Sequence, residues 1–261
     1  MIRRYLAIYK ACLQTVLANI TAYRADFLMR SLITLLSSSV LPLATLWLYQ
    51  NGLHFPGWSM WEVLLIQSVY TLSDMAAASL FQGILWSTMD HIREGSFETI
   101  LIKPVSPLFY LAAYNFDPDY VITMFGSMLM MGVALFHIGL PSAVQWLHFF
   151  ALFLCAIAVL GGMSLMMGAI SFKWVGNSRI PEIFESVKAF GRYPVSIFPK
   201  AVRGIMTMVI PVAMIGFFPA SALIGRKNLY VSMAVLPCIL FFLLGIWLYR
   251  KMIQLYEGVG G

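Results

Sequence analysis

Trp146-Leu-His-Phe-Phe-Ala-Leu-Phe-Leu-Cys-Ala-Ile-Ala-Val-Leu-Gly-Gly-Met-Ser-Leu-Met-Met-Gly-Ala-Ile-Ser171 carries no Lys, Arg, Asp or Glu along its whole length. A helix needs about 20 mostly apolar residues to cross the hydrocarbon of a bilayer, and this run supplies them. Backbone polar groups in lipid must be paired within the segment, so such a run becomes a helix. Four more stretches pass the same test, at 28–49, 61–87, 119–138 and 229–249. Composition agrees, with 61% hydrophobic and 11% charged residues and a mean hydropathy of +0.83. Soluble domains sit near about 45–50% apolar and about 25% charged. Too little polar surface remains to cover a water-exposed globule. This excludes disorder, a collagen-like repeat, a disulfide scaffold and an ordinary cytosolic enzyme, and leaves a polytopic membrane protein.

A sixth apolar stretch, 205–224, is long enough to span but is broken by Pro211 and Pro219. Before it, 180–199 carries Glu182, Glu185, Lys188 and Arg192. Two layouts are open. Either 180–204 is a cytoplasmic amphipathic segment and 205–224 spans, or 180–198 spans and 200–225 dips in and returns. Charge favours the first, because four ionisable residues on a lipid-exposed helix are costly; a helix facing a polar interior escapes that cost. Both layouts give six spans.

Basic residues set the orientation. Arg3, Arg4, Lys10, Arg24 and Arg30 precede or open the first span, Arg93 and Lys103 follow the second, Lys173 and Arg179 follow the fourth, and Arg250 and Lys251 follow the last. The loops at 50–60 and 139–145 have no Lys or Arg. Both termini are therefore expected in the cytoplasm. In 1–26, Leu6, Tyr9, Leu13, Val16, Leu17 and Ile20 recur at helical spacing, with Arg3, Lys10, Gln14 and Thr21 opposite. That pattern predicts an amphipathic helix lying in the cytoplasmic interface, or else an extension of the first span. No removable leader is expected. Trp47, Trp58, Trp61, Trp146 and Trp247 fall near span ends, as an aromatic belt would.

The chemistry-bearing motifs are mostly absent. There is no G-x-x-x-x-G-K-[ST] loop, no H-E-x-x-H and no G-x-S-x-G, so neither ATP binding nor catalysis is expected in this chain. His54, His91, His137 and His148 share no ligand spacing, and Cys12, Cys155 and Cys238 read as buried small hydrophobes. The net charge of +6 is read as topology signal and anionic-lipid contact, with no nucleic acid partner. Asp74 is the one carboxylate near the middle of a clear span. It is either a functional group facing a cavity or partner, or a hydrogen-bonded packing group.

The most specific stretch follows the second span: Met89-Asp-His-Ile-Arg-Glu-Gly-Ser-Phe-Glu-Thr-Ile-Leu-Ile-Lys-Pro-Val-Ser-Pro107. A charged run meets a short apolar run and two prolines close it, which predicts a short amphipathic helix at about 90–102 lying flat under the membrane. Arg93-Glu-Gly-Ser-Phe-Glu-Thr-Ile-Leu, then Lys103-Pro-Val-Ser, resembles the same region of ABC type-2 exporter permeases. Tyr193-Pro-Val-Ser-Ile-Phe-Pro199, Ile210-Pro-Val, Phe218-Pro-Ala and Tyr256-Glu-Gly-Val-Gly260 are similar to one six-span branch of that group.

The resemblance implies an all-α membrane protein in which 1–261 form a single permease domain. It would have six transmembrane helices, an interfacial helix at 1–26, a cytoplasmic coupling helix within 88–108 and re-entrant helices within 199–226. It implies that Arg93, Glu94, Glu98 and Thr99 contact a separate P-loop ATP-binding subunit, present in two copies, while Phe97, Ile100 and Leu101 seat the helix in the membrane subunit. ATP and Mg would belong to that partner, with no cofactor or metal in this chain. A second permease, the same or a sister chain, would pair with it in a bacterial cytoplasmic membrane. Asp74, Glu182, Glu185, Lys188 and Arg192 would line a conduit or subunit interface. The competing readings are an ion-coupled carrier or channel working through Asp74 and the 182–192 charges, and a non-transporting membrane scaffold.

Overall fold

A computed structural model describes residues 2–114, 116–174, 179–226 and 230–256; the Glu257–Gly260 end of the last motif lies outside the described residues. Among them there is no strand. The helices are α1 (Ile2–Ala22), α2 (Arg24–Gln50), α3 (Met60–Ala77), α4 (Gly83–Arg93), α5 (Glu98–Leu101) and α6 (Pro107–Tyr114), then α7 (Asp119–Ile138), α8 (Ala143–Ser171), α9 (Ile180–Ala189), α10 (Lys200–Gly204), α11 (Phe217–Leu223) and α12 (Tyr230–Gln254). Five segments are long and apolar enough to cross a membrane: Arg24–Gln50, Met60–Arg93, Asp119–Ile138, Ala143–Ser171 and Met233–Gln254. A bent pair, Lys200–Val209 and Val212–Leu223, meets at 79° and would make a sixth.

The spans start and stop where local chemistry dictates. Ser59 and Ser142 open α3 and α8 with capping boxes, closed by Glu62 and Gln145, so two orphan N-terminal donors are satisfied reciprocally in each case. The segment expected at 61–87 runs on to Arg93 and is interrupted by a π turn at Ala78–Gln82. α1 is a separate helix from α2, divided from it at Tyr23, and its Tyr5 ring meets Phe109 of α6 edge-on at 4.6 Å.

Two surfaces hold the bundle. α3 and α7 run antiparallel, with Trp61 stacked on His137 at 3.7 Å near one end. α8 and α12 run side by side through glycines: a Cβ on Gly245 would come within 2.8 Å of the Gly162 carbonyl oxygen, and one on Gly168 within 3.0 Å of the Tyr249 ring. Lipid offers no hydrophobic drive to push helices together, so close backbone approach at small residues is what makes van der Waals contact count. At the end that carries α1, Arg30 lies 3.1 Å from Asp26, 3.8 Å from Asp117 and 3.7 Å from Asp119. The Ser31 hydroxyl donates to Asp119, which fastens α2 to α7 there.

The opposite end is organised by Trp58. Rather than joining a lipid-facing belt with the exposed Trp47 and Trp247, it is buried. Its Nε1 donates to Ser196 Oγ at 2.8 Å, its ring packs edge-on against Phe217, and the Arg226 guanidinium lies 4.0 Å above it. Arg226 also reaches Glu62 at 2.7 Å and donates to the Gly57 carbonyl at 3.1 Å. Both ends of the segment from Ser196 to Arg226 thus touch the same loop.

Candidate functional site

Two clusters of sequence-flagged residues assemble. The first lies inside the bundle, where α9 packs on α8 and the turn that follows it, Phe190–Arg192, packs on α3. Phe184 and Lys188 are on the buried side of α9. Lys188 Nζ sits 2.8 Å from Asp74 Oδ1 and 2.8 Å from Glu185 Oε1. The side chain of Lys188 is 4% exposed and that of Glu185 is 50% exposed, so one carboxylate is internal and the other meets the surroundings. A buried charge is tolerated only when paired and hydrogen-bonded; the apposition of Asp74 and Lys188 meets that condition. The Arg192 guanidinium lies 4.9 Å over the Tyr70 ring, and among the described residues no carboxylate comes within ion-pair distance of it.

These groups form one wall of a cavity of about 300 Å³ between α2, α3, α7 and α9. Thr34, Ser37 and Ser38 of α2 face them, with Gln67 and Thr71 of α3 and Tyr120 and Thr123 of α7 completing the lining. Asp74, Glu185, Lys188 and Arg192 therefore line one cavity. Glu182 is exposed and is not among the residues lining the cavity. The close fit that seats α9 depends on two glycines. A Cβ on Gly191 would meet the Val212 carbonyl oxygen at 2.7 Å, and one on Gly216 would meet the Gly191 carbonyl oxygen at 2.7 Å.

The second cluster is at the end of α4. The expected continuous helix at 90–102 is replaced by two pieces, and the reason is legible at Gly95. This residue has φ +67, Ser96 N–H bonds the His91 carbonyl at 2.8 Å and Gly95 N–H bonds the Ile92 carbonyl at 3.1 Å. That is the hydrogen-bond pattern of a glycine-terminated helix end. His91 Nδ1 and Ser96 Oγ, 2.7 Å apart, brace the turn, and α5 then makes a single turn.

The turn points its apolar residues into the protein. Phe97 and Ile100 are buried. The Phe97 ring meets Phe172 at 4.9 Å and Tyr256 at 5.3 Å, both edge-on. Phe172 in turn meets Tyr249 at 5.6 Å, whose hydroxyl is hydrogen-bonded with that of Thr88. Leu101, expected to share the seating role, is instead 38% exposed and turned away from this cluster. Arg93, Glu94, Glu98 and Thr99 are exposed, and Arg93 lies 3.7 Å from Asp90. The segment is a polar plate fixed by an aromatic joint to the ends of α4, α8 and α12.

Among the described residues no group of His, Cys, Asp and Glu could hold a metal ion. No curated protein and no solved structure matches the chain. Residues 35–260 do match the family described as ABC-2 family transporter protein, a span that takes in both clusters. With five to six membrane-length helices and this match over most of its length, the chain belongs to the ABC-2 transporter family as a multi-pass membrane permease.

Proposed function

We propose that this chain is the membrane-spanning subunit of an ATP-driven exporter, moving substrate out of the cytoplasm when a separate P-loop subunit binds and hydrolyses ATP. ABC-2 family permeases generally work with ATP-binding subunits. Two such subunits, carrying the ATP and Mg, would dock against a pair of permeases in a bacterial cytoplasmic membrane. Both termini and the 88–108 segment face the cytoplasm, in line with the basic loops at that end.

The observation that carries the reading is the joint at Phe97. Glu94, Glu98, Thr99 and Arg93 offer an outward polar face, while Phe97 and Ile100 tie it to Phe172, Tyr249 and Tyr256. A push on the exposed face is delivered to the ends of α4, α8 and α12 as one unit, because a close-packed aromatic joint transmits displacement rather than absorbing it. α9 rises through the bundle past Asp74, and the bent segment from Pro199 to Arg226 re-enters from the far side. Its two ends both contacting the 51–59 loop support that layout. The cavity beside Asp74 is then the part of the conduit that meets substrate.

Charge reversal at the docking face tests the assignment. Glu94→Lys with Glu98→Lys is expected to abolish substrate-stimulated ATPase activity while leaving the thermal unfolding of the permease unchanged, since both side chains are exposed and surface substitutions usually fall within about 0.5 kcal/mol. Unchanged ATPase stimulation would sink the assignment of this face.

A further inference from the structure

The end of the bundle that carries Trp58 lies opposite the 88–108 segment, because α3 and α4 run from one to the other. Lys and Arg are biased toward the cytoplasmic side of membrane proteins, so cations at the Trp58 end call for a reason. Arg226 has one in Glu62, 2.7 Å away. Lys200 and Arg203 do not: among the described residues no carboxylate comes within ion-pair distance of either. The two are three residues apart on α10 and so are neighbours on its surface. Lys200 is exposed. Arg203 Nη2 donates to the Ser196 carbonyl at 3.1 Å and the Phe198 carbonyl at 3.3 Å, which holds its guanidinium against that turn.

Beside the same turn is an open groove of about 230 Å³, lined by Ser186, Ala189, Phe190, Tyr193, Ile197 and Phe198. Only Ser186 and Tyr193 carry polar side-chain atoms among these. The Phe190 and Phe198 rings meet edge-on at 5.7 Å, and Phe190, Ile197 and the nearby Ile183 and Ile205 are exposed. Phe198 belongs to both features, since it lines the groove and its carbonyl accepts from Arg203. An apolar groove therefore adjoins two cations whose charge the protein leaves unbalanced.

That pairing selects the occupant. The volume equals roughly eight waters at about 30 Å³ each, which admits part of one acyl chain and excludes a packed helix face. A second copy of this chain is a poor complement in charge. The carboxylate it would bring from this end, Glu62, is already held by Arg226, and Glu185, on α9 beside the groove, is held by Lys188 at 2.8 Å. A phosphate diester accepts strong charge-assisted hydrogen bonds from guanidinium and ammonium groups. A zwitterionic headgroup would set its own ammonium beside two cations, and a net-negative headgroup would not.

We propose that this groove holds one acyl chain of an anionic phospholipid from the leaflet opposite the coupling segment, with the lipid phosphate on Lys200 and Arg203. The lipid is a bound partner and not the cargo, so the inference goes beyond the exporter reading and does not depend on it. The test uses the full chain in phosphatidylcholine nanodiscs doped with a trace of either phosphatidylglycerol or phosphatidylcholine that carries a diazirine on one acyl chain. Labelled residues are mapped by peptide mass spectrometry after illumination. Phosphatidylglycerol should label 183–198 over phosphatidylcholine by roughly tenfold or more, since each cation near the lipid surface is worth about fivefold. Lys200→Gln removes an exposed, unpaired side chain and should cut that excess about fivefold. Lys200→Gln with Arg203→Gln should bring it to the phosphatidylcholine level. Labelling near Arg250 and Lys251 should stay unchanged in both variants and serves as the internal reference.

Because Arg203 also braces the turn at 196–198, thermal unfolding is checked for the double variant, and Lys200→Gln alone decides the matter if that variant fails to fold. A phosphatidylglycerol excess at 183–198 that falls in Lys200→Gln and resists excess glycerol phosphate supports the lipid. Displacement by glycerol phosphate would assign a free phosphate ester and overturn it. Equal labelling from the two lipids, an excess untouched by Lys200→Gln, or crosslinks from 183–198 to a second copy of the chain in place of lipid would also overturn it. No ATPase enters this readout, so failure here leaves the exporter reading to the charge-reversal test, and failure there leaves the lipid site standing.

Discussion

Lys188→Met is expected to destabilise the protein by about 3–5 kcal/mol, because it leaves Asp74 buried without the ammonium that lies 2.8 Å away. The reverse deletion is expected to be milder. Asp74→Asn leaves Lys188 paired with Glu185, also at 2.8 Å, and keeps a hydrogen-bonding group in place. Combining Asp74→Asn with Lys188→Met should restore most of the stability lost in Lys188→Met alone, the mark of a coupled pair. Chemical unfolding in mild detergent measures all three. Equal losses in the two single variants would mean that Glu185 contributes nothing to holding Lys188.

The same Asp74→Asn variant separates two mechanisms. In an ATP-driven exporter, transport is modulated and persists. In a carrier that moves protons or ions through Asp74, transport collapses. The buried pair beside a cavity makes Asp74 the residue on which an ion-coupled account would have to rest.

Phe97→Ala is the second substitution with a large expected effect. The side chain is fully buried and is the ring through which α5 meets both Phe172 and Tyr256. Large-to-small changes at buried Phe cost about 3–5 kcal/mol through lost transfer energy and the cavity left behind. Because α5 is one turn long, the loss is expected to be local: the 94–102 segment loosens while the spans hold. Hydrogen exchange should show faster exchange over 94–102, with α8 little changed. Substrate-stimulated ATPase activity should fall with it. The conservative Phe97→Leu should recover much of both, since it refills most of the volume. Loss of coupling in Phe97→Ala with unaltered exchange over 94–102 would argue against a mechanical joint.

The five long spans were legible because a membrane helix is decided by one local quantity, sustained apolarity, and lies where residues 28–49, 119–138 and 146–171 place it. The end of α4 left a signal that was overlooked: Gly95 is the helix-ending glycine, and 90–102 was read as one helix. The sign of Leu101 was not legible, since a single helical turn is too short for periodicity to say which apolar residues face inward. Asp74 and Lys188 are far apart in sequence, and nothing in either neighbourhood names the other. Their partnership follows from α9 packing on α8 while the turn after it, Phe190–Arg192, packs on α3, which in turn needs Gly191 and Gly216 to admit close backbone approach. The Arg30 cluster with Asp117 and Asp119 and the burial of Trp58 were missed for the same reason. The hydroxyl face of α2 left a signal that could have been found, because Ser31, Thr34, Ser38 and Thr45 recur at helical spacing along an otherwise apolar span.

The central claim is that a separate ATPase drives this permease through the exposed face at Glu94 and Glu98. The most direct measurement is co-purification of the full chain from its native host in mild detergent, followed by mass spectrometry and an ATPase assay. The account predicts a stoichiometric P-loop subunit with vanadate-sensitive ATPase activity, held by the natural chain and released by the Glu94→Lys, Glu98→Lys variant. A well-folded chain that comes down alone, with no ATPase activity even after gentle crosslinking, would contradict it.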